Sequence, residues 1–123
     1  MKEKYIDANE KCLPFSYHID ITHSGSLGDE FSGWICIPIV DSKGQRTQRV
    51  LYTLTPVGAG SGRVEWTNAS EKQVNDDPSS ADLDVVSWPS GNVTAQTYDD
   101  SVPFTAFRVA IQSGRMRLRV RVV

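Results

Sequence analysis

The segment FTAFRVAIQSGRMRLRVRVV (residues 104–123) decides the fold class of this chain. In its second half, arginines alternate with apolar residues, at Arg115, Arg117, Arg119 and Arg121. Successive side chains of a strand point to opposite faces, so these four arginines share one face, which we call the arginine face. The other face is apolar and predicts a core. Because FTAFRVAIQ alternates in the same way, the two halves predict a C-terminal hairpin.

The register of this hairpin gives a first functional prediction. A two-residue loop at Ser113 and Gly114 places Arg108 directly opposite Arg119, a like-charge pair that is destabilising unless an anion or carboxylate lies across it. We therefore predict that the arginine face is a docking surface. The predicted interface residues are Arg108, Arg115, Arg117, Arg119 and Arg121.

Further short segments predict the remaining strands, because each alternates or is apolar and is bounded by Gly, Pro, Asn or Asp. They are FSYHIDITH (15–23), WICIPIV (34–40), RVLYTLTP (49–56), RVEWT (63–67), DLDVVSW (82–88) and NVTAQTY (92–98). Residues 68–80 have few large apolar side chains and predict a long surface loop, and no segment predicts a convincing helix. About eight strands indicate an all-β protein, a single antiparallel β-sandwich of jelly-roll-like or Ig-like outline.

The length of 123 residues predicts one domain, with an extended N-terminal arm (1–14) and a sandwich (15–123). No apolar run is long enough to span a membrane, and the polar first residues predict that there is no secretory signal peptide. The net charge is −2, but its distribution is uneven. Residues 64–107 hold eight acids and one lysine, whereas the last sixteen residues hold five arginines and no acid. Such parts can pair within one molecule or with a neighbour.

Motifs for catalysis are scarce in this sequence. Of the two histidines, His18 and His23, the first shares the polar side of a strand with Asp20, but an isolated solvated histidine is the favoured interpretation. Phosphate loops, nucleophile elbows and zinc spacings are absent. The acidic segment 74–84 lacks calcium-loop spacing and indicates a solvated loop. We therefore predict a protein without enzymatic activity, metal or cofactor.

Two other ligand classes can be weighed from the residues. Sugar-binding sandwiches stack rings on exposed aromatics, and Trp88, at a strand end before Pro89, is the tryptophan expected to be most exposed. Trp88 and Tyr98 are therefore candidate ligand or receptor contacts. Nucleic acid is disfavoured because the overall charge is slightly acidic and no aromatic residue interleaves the arginines on their face. A protein partner suits arginine better, since its fork binds carboxylates and its stem packs on apolar surface.

The segment VVSWPSGNVTAQTYDDSVPFTAFRVAIQSGRMRLRVRVV (85–123) resembles the ending of small β-sandwich virion proteins of tailed bacteriophages. The shared features are a Trp before a Gly-Val-Thr-like strand, a Pro-x-Thr-Ala-aromatic-Arg-Val segment, a Ser-Gly turn and an alternating terminal strand. The similarity covers residues 64–123. It implies a structural role in which a small sandwich is repeated many times on a virus particle.

Together these observations predict a non-enzymatic virion protein, and the favoured form is a capsid decoration (cement) protein that binds neighbouring capsid subunits. The predicted partners are capsid or other virion proteins and further copies of the chain, with no nucleic acid or membrane and no favoured small molecule. The arm (1–14) is expected to tether a neighbour. The location expected is the virion, after synthesis in the host cytoplasm. The alternatives are a neck, tail or fibre-attachment component, and a carbohydrate- or receptor-binding sandwich.

Overall fold

The computed structural model describes residues 15–38 and 46–122, so the predicted N-terminal arm lies outside the described residues. Nine strands occur in these ranges: β1 (Phe15–Thr22), β2 (Glu30–Phe31), β3 (Ile35–Cys36), β4 (Val50–Pro56), β5 (Ser61–Thr67), β6 (Val86–Ser87), β7 (Thr97–Ser101), β8 (Ala106–Ser113) and β9 (Arg115–Val122). They form two sheets in which all pairs are antiparallel. The all-β sandwich prediction is therefore confirmed.

The four-stranded sheet has the order β1-β9-β4-β7, and the five-stranded sheet has the order β2-β8-β5-β6, with β3 also paired to β8. The core lies between the sheets, because one face of each long central strand is apolar. Its fully buried side chains include Tyr52, Leu54, Val64, Phe107, Ile111, Met116 and Leu118. Aromatic contacts join the two layers, and Tyr52 lies 5.6 Å from Phe107 between ring centroids.

The predicted hairpin of β8 and β9 is wrong, because the two strands belong to different sheets. The chain crosses from one layer to the other at Gly114, which has φ of +70°. A Cβ at this position would lie 2.1 Å from the carbonyl oxygen of Ala59, so a larger residue does not fit. Both strands turn their apolar side chains into the same core, and a hairpin and an interlayer crossing therefore produce the same alternation.

The predicted loop at 68–80 contains a short helix, α1 (Glu71–Asp76), and a 3₁₀ helix follows at Ala81–Leu83. Neither helix of the described residues is long and apolar enough to cross a membrane. Ser70 and Gln73 form a capping box at the start of α1, and this Ser-x-x-Gln signal was present in the sequence. The predicted strand over 82–88 is correspondingly reduced to β6.

This helical layer covers one outer surface of the sandwich. Val74 of α1 and Leu83 of the 3₁₀ helix are each 2% exposed and pack with Ala106 of β8 in a second small core. Ala106 is in register with Thr67 and next to Arg108, on the side of β8 that faces away from the main core. The outer face of the five-stranded sheet is therefore covered, whereas the described chain places no layer over the four-stranded sheet.

Candidate functional site

The arginine face lies on the uncovered outer side of the four-stranded sheet. The apolar residues between the arginines, Met116, Leu118, Val120 and Val122, are at most 2% exposed, so the predicted alternation is confirmed. β9 lies between β1 and β4, and the arginines therefore have neighbours on both sides. The pairs across β1 are Thr22 with Arg115, Asp20 with Arg117 and His18 with Arg119. The pairs across β4 are Thr55 with Arg117, Thr53 with Arg119 and Leu51 with Arg121.

Asp20 neutralises one end of this row. Its Oδ1 accepts a hydrogen bond from Arg117 Nε at 3.1 Å, and its Oδ2 lies 3.6 Å from both Arg115 Nη2 and His18 Nε2. Burial acts to raise the pKa of Asp20, but the hydrogen bond and positive charge of Arg117, with the charges of His18 and Arg115, hold this pKa below its usual value. Arg115 and Arg117 are thus engaged within the protein.

The other end of the row remains open. Arg119 and Arg121 are exposed and have no carboxylate partner in residues 15–38 and 46–122. Leu51 lies opposite Arg121, and Tyr98 is separated from Arg119 by Thr53 alone. We call these five residues the open patch. Leu51 and Tyr98 are 37% and 81% exposed, so the open patch combines apolar surface with two cations that no acid of the described residues pairs.

A carboxylate on β7, that of Asp100, lies beside the open patch but does not neutralise it. Asp100 of β7 is opposite Leu51. Its Oδ2 accepts hydrogen bonds from Arg49 Nη2 at 2.8 Å and Arg49 Nε at 3.0 Å. Because this carboxylate is already held by its own arginine, the positive charge of the open patch is directed to solvent.

Arg108 does not belong to the arginine face, contrary to the predicted register. It lies on the outer side of the five-stranded sheet, opposite Glu65 rather than Arg119. Its guanidinium carbon lies 4.2 Å from the ring centroid of Phe31 and 4.5 Å from that of Trp34. The side chain is therefore held by a carboxylate and two aromatic rings inside its own molecule, and it is not available as an interface residue in the way we predicted.

Glu65 is the centre of this second network, and no role was predicted for it from the sequence. It is 4% exposed and binds two arginines. Arg108 donates to Oε1 from Nε and Nη2 at 2.9 and 2.8 Å, and Arg63 donates to Oε2 at 3.0 and 2.9 Å. Ser87 Oγ donates to Oε2 at 3.0 Å. The shared polar side of Arg63 and Glu65 was visible in RVEWT, but the pairing of β5 with β8 was not.

The aromatic candidates have different surroundings. Trp88 is 3% exposed and packs in the main core, so the predicted exposure of this residue is wrong. It precedes Pro89 at a strand end, but its ring turns inward against the sheets. Tyr98 is 81% exposed, as a contact residue must be. Because Trp88 is buried, the two residues do not form an aromatic platform for a sugar.

Acidic residues are concentrated on the opposite side of the sandwich. The helical layer over the five-stranded sheet carries five exposed acids, Glu71, Asp76, Asp77, Asp82 and Asp84. Lys72, its single lysine, is bound to Asp76 at the i,i+4 position. The arginine face lies on the outer surface of the other sheet, so the two charged surfaces face away from each other. The molecule is therefore electrostatically polar across its thickness.

A separate pocket of about 680 Å³ lies near the end of β3. Its lining includes Cys36, Arg46, Asn68, Glu71 and Phe104. Burial, with a hydrogen bond and negative charge from Glu71, raises the pKa of the Cys36 thiol. This thiol is therefore a weak nucleophile at neutral pH. Groups of three or more His, Cys, Asp or Glu side chains suited to a metal ion were not found in the described part of the chain.

No family model, curated protein or solved structure matches this chain.

Proposed function

We propose that this chain is a non-enzymatic structural protein of a tailed-bacteriophage particle, and that it acts as a capsid decoration protein. The observation that carries the proposal is the difference between the two outer surfaces. One is covered by a helical layer rich in acids, and the other exposes Arg119 and Arg121 beside Leu51 and Tyr98. The resemblance of residues 64–123 to small virion proteins supplies the class of particle.

The proposed mechanism is adhesive. Arg119 and Arg121 bind carboxylates on a neighbouring capsid subunit, and Leu51 and Tyr98 add apolar contact area. Arginine suits such a contact because its planar fork pairs with a carboxylate through two hydrogen bonds. Asp20 keeps Arg115 and Arg117 within the protein, so the proposed contact is centred on the open patch. Surface ion pairs are screened by salt, and attachment is therefore expected to weaken as the ionic strength rises.

Neck, tail and fibre-attachment positions would use the same chemistry and are distinguished by location. An antibody against the recombinant chain, used for immunogold labelling of purified particles of the encoding virus, tests the proposal directly. Labelling over the whole head supports a decoration protein. Labelling at one vertex or along the tail supports the alternative positions, and purified particles that lack the chain would contradict a virion role.

The role of the open patch is tested by rebinding to particles from which the chain has been stripped. The double variant Arg119→Glu/Arg121→Glu is expected to lose affinity by about tenfold or more, since the charges at the contact are reversed. A matched control, Arg46→Glu/Lys72→Glu, makes the same change of net charge at exposed sites away from the arginine face. Equal losses for both variants would mean that net charge matters and the open patch does not.

The carbohydrate-binding alternative has less support from the described residues. It depended on Trp88 as an exposed stacking surface, and this ring is in the core. Of the two candidate residues, Tyr98 remains exposed, and it lies beside an arginine row that suits an anionic protein surface better than a neutral sugar. A glycan screen in which Tyr98→Ala abolishes a measurable signal would favour the alternative.

A further inference from the structure

β1 forms an unusually open edge of the four-stranded sheet. It has eight residues, and within residues 15–38 and 46–122 it pairs with one neighbouring strand, β9. The other edge strands of the described chain are shorter: β7 has five residues and carries Asp99 and Asp100, while β2, β3 and β6 have two residues each. Short length and edge carboxylates are devices that prevent pairing with another chain. β1 contains no lysine, no proline and no bulge in its register, and its single carboxylate, Asp20, is bound by Arg115 and Arg117.

The backbone groups on this edge can be identified from the register. His23 N–H donates to the carbonyl of Gly114 at 2.8 Å, and these residues continue the register of β1 with β9. In an antiparallel pair, hydrogen-bonded positions alternate with positions whose N–H and C=O point away. The odd-numbered residues of β1 therefore bond to β9, and those at 16, 18, 20 and 22 direct their backbone groups to the free edge. Within 15–38 and 46–122, no backbone hydrogen bond reaches them.

The side chains of β1 are also incompletely covered. Ile19 and Ile21 face the core, directly opposite Leu118 and Met116. Both residues on β9 are fully buried, whereas Ile19 and Ile21 are only partly buried. Among the described strands, β9 has neighbours on both sides and β1 has one neighbour, which accounts for the difference. A further strand at this edge would bury apolar surface as well as pair backbone groups.

We propose that β1 pairs with β1 of a second copy, antiparallel about a two-fold axis, so that the two four-stranded sheets become one sheet of eight strands. An isologous contact of this kind joins the same residues of both copies. The inference rests on the edge alone and does not depend on a role in a virus particle.

Charge complementarity selects the register. The free backbone groups belong to even-numbered residues of β1. Even-numbered residues of one copy must therefore lie opposite even-numbered residues of the other copy. An axis at residue 18 would place two copies of His18 together, and an axis at residue 20 would oppose two copies of Asp20, which is destabilising. An axis at Ile19 instead places His18 opposite the partner's Asp20 in both halves of the contact. The two arginine faces then lie side by side on one continuous surface.

The first test is the mass of the full chain by sedimentation equilibrium. The expected species is a dimer of 13.6 kDa chains. The variant His18→Pro removes an N–H that points to the free edge and leaves the bonds to β9 in place, and proline is tolerated at an edge. It is expected to raise the dimer dissociation constant by at least about tenfold, while circular dichroism shows a folded monomer. A wild-type chain that stays monomeric at 100 micromolar would overturn the proposal.

The register is tested by disulfide cross-linking in a Cys12→Ser/Cys36→Ala background. Ile19→Cys faces its own copy across the axis at a non-hydrogen-bonded position, where Cβ atoms are close enough for a disulfide. It is expected to form a covalent dimer on oxidation. Ile21→Cys is the matched control, since residues 21 of the two copies are about 13 Å apart in this register. Cross-linking of the control instead, or of neither variant, would contradict the proposal.

Discussion

Glu65 provides the sharpest quantitative prediction, because its buried carboxylate binds both Arg63 and Arg108 on the outer side of the five-stranded sheet. Its side chain is 5% exposed, and those of Arg63 and Arg108 are 15% and 18% exposed. In Glu65→Gln the shape is retained, but the charge is lost and an amide NH₂ group faces arginine donors. Breaking a buried ion pair by removing one partner costs about 3–5 kcal/mol, since the remaining charge is uncompensated. Arg108 loses the carboxylate that it binds, whereas Arg63 keeps its ion pair with Asp29, so we expect a value within that range.

The assay is urea unfolding at neutral pH, with thermal melts in parallel, where this loss corresponds to a decrease in Tm of about 10–20 °C for a domain of this size. Asp100→Asn is the matched control. It removes the carboxylate bound by Arg49, and both side chains of that pair are about half exposed, so a loss of about 0–1 kcal/mol is expected. A loss below about 1 kcal/mol for Glu65→Gln would refute the reasoning that this network is shielded from solvent.

Three further predictions concern single groups. A hydrogen bond from the Ser24 hydroxyl is the main reason that the pKa of Glu30 is lowered from 4.5 to about 2. The stabilising effect of the Glu30 carboxylate is complete above pH 4.5 and is lost as the pH falls towards 2. Glu30→Gln should therefore flatten the dependence of Tm on pH in that window. Burial raises the pKa of Tyr52 to about 12, and its hydroxyl makes no normal hydrogen bond within the described ranges. Tyr52→Phe should therefore change the free energy of unfolding by less than about 1 kcal/mol. A loss above about 2 kcal/mol would reveal a hydrogen bond. Gly114→Ala should cost at least about 2 kcal/mol in chemical unfolding because a carbonyl oxygen lies 2.1 Å from the new Cβ. Gly58 also has a positive φ but has open space around it, so Gly58→Ala should cost about 1 kcal/mol. Equal costs for the two variants would contradict the steric argument.

Tyr52 also shows how a buried polar group can be held without strong bonds. The nearby Trp66 and Ser101 limit the increase of the Tyr52 pKa, which requires that they lie close to the phenol. The Tyr52 hydroxyl, Trp66 Nε1 and Ser101 Oγ nevertheless lack partners of normal hydrogen-bond geometry in the described part of the chain. Because the phenol lacks such a partner there, Tyr52→Phe is expected to change the free energy of unfolding only slightly.

The sequence predicted the fold class and the arginine alternation because both depend on side-chain period within one strand. The alternation of β9 is local information, and it was sufficient to place Met116 and Leu118 in the core. The partner of each strand is not local information. Arg108 was therefore assigned to the wrong surface, since its opposite residue, Glu65, lies 43 positions earlier.

The candidate site was predictable only in part for the same reason. Arg119 and Arg121 were identified, but Leu51 and Tyr98 join them through pairing of β4 with β9 and of β7 with β4. The separation of Arg117 from Asp20 is 97 residues, so nothing local indicated that one end of the arginine face is neutralised. Trp88 was misplaced because a residue before proline at a strand end can turn to either side of the chain.

The interlayer crossing at Gly114 has a consequence for how quickly the protein folds. β9 is the central strand between β1 and β4, and its contacts with β1 close a loop of nearly the whole domain. A hairpin would have formed from neighbours in microseconds, whereas a sheet whose middle strand must be inserted between distant segments folds in about milliseconds to seconds. Until insertion occurs, β1 and β4 lack their shared neighbour, and apolar residues on both remain accessible to other chains. The folding rate of this protein is therefore expected to be set by the arrival of β9.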